Sequence, residues 1–196
     1  MRFKYLPFLI VLATAPCAMA FDGRREGFIM GVAFGPHFCT FDETDNFGPA
    51  DIHVDGQGVS WAGDVLFGGS GGKLSLYGVF NTTWLLVTKP HGDGFGNLRS
   101  GEVQKSIRFL GAGINHYLAD SPRAKRKPYV TLKVGEMFHS EEGVYQGRSL
   151  GFQAGGGVEF KRHWAFELRV YMGNPEETER SLEFFSVQAM VSAIAF

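Results

Sequence analysis

The chain has 196 residues and a formal net charge of −1, and 44% of its residues are hydrophobic. The length fits one domain of ordinary size. The absence of a basic excess argues against a nucleic-acid partner.

The first element along the chain is an export signal. Residues 1–20 combine two basic residues near the start, an apolar stretch over 6–15, and Ala18-Met19-Ala20, which has the pattern of a cleavage site. The apolar stretch is much shorter than the ~20 residues that a membrane-spanning helix needs. We therefore expect residues 1–20 to be removed as a signal peptide, leaving residues 21–196 as a single domain outside the cytoplasm.

Cleavage after Ala20 would also remove Cys17 and leave Cys39 as the single cysteine of the mature chain. An intramolecular disulfide is then impossible, so an exported domain must be stabilised in another way.

The rest of the chain alternates between apolar and polar residues. In residues 163–172, "HWAFELRVYM", Trp164, Phe166 and Leu168 share one parity while Glu167 and Arg169 share the other. Period two is the geometry of a β-strand, because successive side chains leave opposite faces. The same alternation predicts about eight strands, over residues 27–38, 59–67, 73–86, 103–118, 129–138, 150–160, 163–172 and 183–196.

One predicted strand changes its apolar parity midway. Ile107 and Phe109 lie on the odd apolar parity, whereas Leu110 and Ile114 lie on the even one. A β-bulge near Gly111 would account for the change.

The connections between the predicted strands alternate in length. Short links occupy 68–72, 120–127 and 161–163, and longer polar links occupy roughly 39–57, 88–101, 139–148 and 173–182. This asymmetry is typical of a transmembrane barrel with short periplasmic turns and long external loops.

The composition of the two faces favours a membrane barrel over a soluble one. The polar parity consists mostly of small residues with about one charge per strand, whereas a soluble barrel would expose many charges there. We therefore predict an all-β fold, an antiparallel up-and-down transmembrane β-barrel of about eight strands. The charges of both signs should then pair inside the barrel in a buried network: Asp64, Arg108, Lys133, Glu159, Glu167 and Arg169.

Four segments and the chain end resemble a known group. "GAGINHYL", "PYVTLKVG", "GFQAGGGVEF" and "HWAFELRVYMGN", followed by a terminal phenylalanine, are similar to the small eight-stranded outer-membrane proteins of Gram-negative bacteria, of the OmpA-transmembrane, OmpX and opacity-protein type. The resemblance implies an outer-membrane location and contact with outer-membrane lipids and lipopolysaccharide. It also implies that the barrel-assembly machinery reads Phe196 as a signal.

The chain end departs from this pattern in one respect. The parity of Phe196 is interrupted by Ser186, Gln188 and Ser192, and the other parity is the more apolar one. Either a bulge lies near the end or Phe196 leaves the strand.

The sequence offers little catalytic chemistry. None of the six His residues has zinc-like spacing with another, so no metal or other cofactor is expected. The stretch "HSEE", residues 139–142, supplies the residue types of a hydrolase, and a lipid A-modifying deacylase is the alternative function. Because His139 and Ser140 are adjacent in a strand, we expect them to face opposite sides and the chain not to be an enzyme.

The longer links are acidic, above all residues 41–55 and 174–180. Such loops could contact an extracellular ligand, although polar loops are also ordinary at a surface. We therefore expect a barrel without an open pore, with a structural or adhesin-like surface-interaction role.

Overall fold

The computed structural model describes residues 26–45, 52–86, 104–118, 126–141, 144–161, 163–177 and 180–195. Eight of its strands are long and one has only two residues. The strands are β1 (Glu26–Asp45), β2 (Ile52–Gly71), β3 (Leu74–Leu86), β4 (Gln104–Tyr117), β5 (Lys127–Glu141), β6 (Val144–Lys161), β7 (Trp164–Gly173), β8 (Glu176–Glu177) and β9 (Arg180–Ala195).

The long strands close into a barrel. Each pairs antiparallel with its neighbour in the chain, in the order β1 to β7 and then β9. The first strand pairs with the last, from Met30 opposite Ala195 to Asp45 opposite Arg180, and this pairing closes the wall. The short β8 lies beside β9 and meets β6 where Glu176 is opposite Arg148. The predicted fold, an antiparallel up-and-down barrel of eight strands, is confirmed. Among the described residues no helix is long and apolar enough to cross a membrane.

The two faces of the wall have opposite polarity, and the apolar one is outside. Phe28 is 64% exposed and Leu132 54%, whereas Asp64 is 4% exposed. The outer face is an apolar belt that runs around all the long strands. Its members include Phe28, Val32, Phe34, Trp61, Phe67, Leu76, Phe80, Leu110, Leu132, Leu150, Phe152, Trp164, Leu168, Phe185 and Val191. A chain folded in water buries such residues, so this surface is one that hydrocarbon solvates.

The bulge predicted near Gly111 does not exist. The pairing of β4 with β5 runs through Leu110 opposite Glu136 and Gly111 opposite Gly135 without a register shift. Ile107 and Phe109 point into the barrel and are fully buried. The apolar parity changes because the barrel interior is itself apolar at that level.

Polar and charged side chains fill the middle of the barrel, and apolar side chains fill the space on both sides of them. Toward the long links the apolar residues include Cys39, Phe41, Leu85, Ile107, Phe109, Met137, Tyr171, Leu182 and Phe184, and toward the short turns they include Ile29, Leu66, Tyr77 and Ile194. Tyr171 packs edge-on against Phe109 and Phe184, with ring centroids 5.7 and 5.2 Å apart. The interior is therefore less polar than the sequence predicts.

Two of the predicted long links are mostly strand. β1 continues to Asp45 and β2 begins at Ile52, while β5 ends at Glu141 and β6 begins at Val144. Polar residues there pair with each other across the hairpins, as Asp42 does with Asp55. The strands therefore extend beyond the apolar belt instead of ending at its edge.

The close approach of β4 and β5 at Gly135 gives a testable prediction. A Cβ built at Gly135 would lie 2.4 Å from both Gly111 Cα and Leu110 O, which are backbone atoms that no rotamer change can move. Gly135→Ala is therefore expected to lower the free energy of unfolding by about 1–3 kcal/mol, as overpacking does. Urea titration in detergent micelles measures the change.

Gly63→Ala is the matched control for this substitution. A Cβ at Gly63 meets nothing closer than 3.7 Å, so that variant should unfold like the wild type. Equal stability of the two variants would show that the strands are not so close at Gly135.

Candidate functional site

The candidate site is a charge network at the centre of the barrel. It consists of Asp64 on β2, Lys133 on β5, and Glu167 and Arg169 on β7. All four side chains lie on the inward parity of their strands and are almost completely buried. Closure of the barrel brings them together although Asp64 and Arg169 are 105 residues apart in the chain.

Asp64 is the centre of the network. The two terminal nitrogens of Arg169, Nη1 and Nη2, donate to the two carboxylate oxygens of Asp64, with Nη2 2.7 Å from Oδ1. Lys133 Nζ donates to Asp64 Oδ2 at 3.3 Å. Bidentate guanidinium–carboxylate pairs combine strong hydrogen bonds with a fixed geometry. The network therefore ties β2 to β5 and β7 across the barrel.

Glu167 supplies the second negative charge. Its Oε1 accepts hydrogen bonds from Lys133 Nζ at 3.1 Å and Arg169 Nη1 at 3.3 Å, and its Oε2 accepts one from Tyr129 OH at 3.1 Å. The network thus balances two cations with two carboxylates. Balance matters because an unpaired ion in the interior would cost several kcal/mol.

Neutral side chains satisfy the remaining hydrogen-bonding groups. Asn81 Nδ2 donates to Asp64 Oδ1 at 2.6 Å, and Arg169 Nε donates to Gln188 Oε1 at 2.7 Å. Gln188 Nε2 then donates to Thr83 Oγ1 at 3.1 Å, and Thr83 donates to Asn81 Oδ1 at 3.0 Å. This chain of bonds includes β3 and β9 in the network and fixes the side-chain positions.

The space beside the charges is very small. A cavity of about 10 Å³ lies next to Lys133 and Glu167, with Tyr77, Asn115 and Ser192 also on its wall. That is about the volume that one water molecule needs. The cavity has no room for a substrate. We therefore interpret the charge network as a group that stabilises the barrel from inside.

Two of the six predicted network residues lie elsewhere. Arg108 belongs to the outward parity, because its neighbours Ile107 and Phe109 are the buried ones, so its assignment to the interior is wrong. Glu159 has the inward parity but is only half-buried near the turn at 161–163, where it is opposite Ala165. The charge network lies two residues further along β6, at the level where Gly157 is opposite Glu167.

The predicted assembly signal, Phe196, lies outside the described residues, as does the predicted signal peptide. The strand that precedes Phe196 does settle one alternative. β9 pairs with β7 in one unbroken register from Gly173–Phe184 to Trp164–Ala193. No bulge therefore occurs in this part of β9, and Phe185 and Val191 face outward.

The sequence did not single out the neutral members of the network. Asn81, Tyr129 and Gln188 each lie on a polar parity, which predicts an inward position but no partner. Gln153 is also fully buried between Lys133 and Tyr171 in the ladder, and neither its oxygen nor its nitrogen has a hydrogen-bond partner in the described part of the chain.

His139 and Ser140, two residues of the alternative function, are not hydrogen-bonded to each other in the described structure. His139 and Ser140 are both buried, at 3% and 1% exposure, where the pairing of β5 with β6 shifts register. Ser140 Oγ has no hydrogen-bond partner in the described chain, so no base is positioned to activate it. No group of three His, Cys, Asp or Glu residues within the described segments could hold a metal ion.

A closed eight-stranded wall with an apolar exterior and ions inside is the architecture of small outer-membrane β-barrels. Solved structures of that class are similar to this chain. The outer-membrane protein AlkL matches with 14% identity and a TM-score of 0.53, over 89% of this chain and 93% of AlkL. OprG from Pseudomonas aeruginosa matches with 11% identity and a TM-score of 0.51, over 89% of this chain and 99% of OprG.

Neisserial surface protein A also matches, with 9% identity and a TM-score of 0.49, over 89% of this chain and 97% of that protein. No family model and no curated protein matches the sequence. The likeness to AlkL and OprG establishes the fold at these identities, and the resemblance seen in the sequence agrees with it.

Proposed function

We propose that the chain is an integral protein of the Gram-negative outer membrane, with a closed interior and a loop end that contacts partners outside the cell. The observation that carries the proposal is the inverted polarity of the wall. An exposed belt of Phe, Leu, Val and Trp surrounds a buried, charge-balanced core. Only a hydrocarbon environment makes this arrangement favourable.

The closed interior supports a role other than transport. The charge network joins three strands across the centre, and apolar side chains fill the barrel on both sides of it. An eight-stranded barrel is just wide enough for side chains to fill. The protein therefore acts through its surface.

The extended strands supply that surface. β1 and β2 have 20 residues each, whereas about 9–11 residues span a membrane. We call residues 41–45, 52–56 and 180–184 the raised rim, because they continue the barrel beyond the belt. Asp42 and Glu183 are exposed on its outer side and lie opposite each other in the pairing of β1 with β9. This acidic edge suits a surface-interaction role.

Cell fractionation tests the location. Expressed in a Gram-negative host, the protein should appear in the outer-membrane fraction, require detergent for extraction, and migrate faster on a gel without boiling, because a closed barrel stays compact. Recovery as a soluble periplasmic protein would contradict the proposal.

A shortened hairpin tests the surface role. Residues 43–54 can be replaced by Asn-Gly, whose type I′ turn would close the β1–β2 hairpin at the Asp42–Asp55 pair without changing its register. Adhesion of bacteria to epithelial cells and to immobilised matrix proteins should be lost, while the gel shift is kept. Replacement of Gly72-Lys73 by Asn-Gly at the opposite end is the control. Adhesion that survives the rim replacement would show that the β1–β2 hairpin is not the contact, and would contradict the assignment of the surface role to this rim.

A further inference from the structure

The barrel wall is split between β2 and β3 at the end nearer the long links. The two strands pair up to Ala62 and Thr83 and, within the described residues, no further. Beyond that pair β2 continues to Ile52 with β1 along its other side, and β3 continues to Leu86 with β4 along its other side. We call residues 52–60 of β2 the open edge, because no described strand pairs with that side of it.

The split begins at a fixed point inside the barrel. His37 on β1 donates a hydrogen bond from Nε2 to the carbonyl oxygen of Trp84 on β3, at 2.9 Å. The hydroxyl of Ser186 donates to His37 Nδ1 at 3.1 Å. A carbonyl oxygen can only accept, so these two bonds are compatible with one tautomer of the ring. Because Trp84 directly follows Thr83, a histidine side chain bonds the first β3 residue beyond the ladder. The split is therefore a built part of the fold and not a frayed strand end.

Aromatic rings surround the outer side of the split where it begins. Trp61 stacks on Phe34, with ring centroids 5.1 Å apart, and Trp84 is 46% exposed on the neighbouring strand. Tryptophan side chains concentrate where a membrane meets water. The open edge starts next to Trp61 and runs away from the apolar belt. Its backbone groups therefore extend into water and not into hydrocarbon, where unpaired N–H and C=O groups are strongly disfavoured.

The open edge lacks the usual protection of an exposed strand. Residues 52–60 contain neither proline nor lysine, and β1 pairs with them in one unbroken register without a bulge. Val59 is 67% exposed, the highest value among the large hydrophobic residues that the structure describes. An unprotected edge of this kind is a template for another strand. At about 3.3 Å per residue it is roughly 30 Å long, enough for a ladder of several hydrogen bonds.

We propose that the open edge binds an extended, basic segment of a partner polypeptide outside the cell, which joins the sheet as a further strand beside β2. The inference rests on the proposed surface role and names the kind of partner. Strand addition supplies main-chain partners to the main-chain groups of the edge. Val59 offers an apolar contact to one face of the added strand. Asp42 and Glu183 are exposed on the nearby strands, and this acidic end favours lysine or arginine in the partner.

Hydrogen–deuterium exchange of the full chain in detergent micelles tests whether the edge is open. In the free protein, the amides of residues 52–60 that point away from β1 should exchange rapidly. Amides of residues 62–66 should exchange slowly, because those residues pair with β1 on one side and β3 on the other. Slow exchange of every amide in the open edge would show that it is already covered, and would overturn the proposal.

A synthetic peptide tests strand addition itself. The probe is a nine-residue peptide of alternating valine and lysine, which should slow exchange of the edge amides by about tenfold or more. The same peptide with every backbone amide N-methylated keeps the side chains and charges but cannot donate main-chain hydrogen bonds. It should bind about tenfold more weakly, since several hydrogen bonds are lost. Equal binding of the two peptides would show a purely electrostatic contact and would overturn strand addition.

Two matched lysine substitutions locate the contact. Val59→Lys places the charge on the open edge, whereas Leu118→Lys places it at the opposite end of the barrel, where Leu118 is 60% exposed. Lysine on an edge blocks pairing with another strand, so Val59→Lys should weaken binding of the unmodified peptide about tenfold, and Leu118→Lys should not. Equal weakening by both would show that overall charge, and not the edge, determines binding. These measurements use purified protein, so they are independent of the fractionation and adhesion tests of the proposed function.

Discussion

Replacement of Asp64 with alanine is expected to lower the free energy of unfolding by about 3–5 kcal/mol, the range for breaking one partner of a buried ion pair. Asp64 accepts hydrogen bonds from both Arg169 and Lys133, and its side chain is 1% exposed. Its loss leaves two buried cations facing Glu167 alone. Urea unfolding in phospholipid vesicles, followed by tryptophan fluorescence, measures the change.

A double variant distinguishes the loss of charge balance from the loss of side-chain volume. Asp64→Ala/Arg169→Met removes one charge of each sign and leaves Lys133 paired with Glu167 at 3.1 Å. This variant should be more stable than Asp64→Ala alone, because no ion is left without a counterpart. If the double variant were less stable by the sum of two large losses, the charges would contribute independently and the interpretation as a balanced network would fail.

The second substitution with a large expected effect on stability places a charge on the lipid-facing side of the barrel wall. Leu132 is the middle of three exposed apolar residues on β5, between Val130 and Val134. Arginine at the centre of a lipid-facing wall is expected to cost about 2–4 kcal/mol. Leu132→Arg should therefore lower the yield of folded barrel in vesicles and its free energy of unfolding by that amount.

The same substitution near the turns is the control. Leu118 is 60% exposed and directly follows the last residue of β4. Arginine there would meet the headgroup region, where the expected cost is about 0–1 kcal/mol. Similar stability of Leu118→Arg and Leu132→Arg would mean that water, and not hydrocarbon, surrounds Leu132.

The alternation of the sequence is sufficient to predict the strands and their faces, because one side of the wall is uniformly apolar. Trp164, Phe166 and Leu168 face outward, and Glu167 and Arg169 face inward. The same reasoning fails on β4, where Phe109 and Leu110 are both apolar and only the pairing shows that Phe109 is inside. Where the interior of the barrel is itself apolar, both faces of a strand carry apolar residues. The alternation of the sequence then no longer shows which face is inside.

The partners inside the barrel could not be predicted from the sequence. The bond from Arg169 to Asp64 depends on the register of every pairing between β2 and β7, and a slip of one residue would turn a side chain outward. Arg108 illustrates the same limit, because both parities of its strand carry apolar residues and the sequence alone does not show that Arg108 faces outward. The observed ends of β1 and β2 also differ from the predicted ones. The polar residues of 41–45 and 52–55 pair with each other and still form a ladder.

The contact between the first strand and the last has a consequence for biogenesis. The ladder from Met30–Ala195 to Asp45–Arg180 lacks pairs at Gly35 and Pro36, and proline has no N–H to donate. This pairing joins the first strand to the last, so it completes only after β9 has been synthesised, and contacts of such long range form slowly. A chain released early would keep two bare β-edges, which neither lipid nor its own sequence can cover.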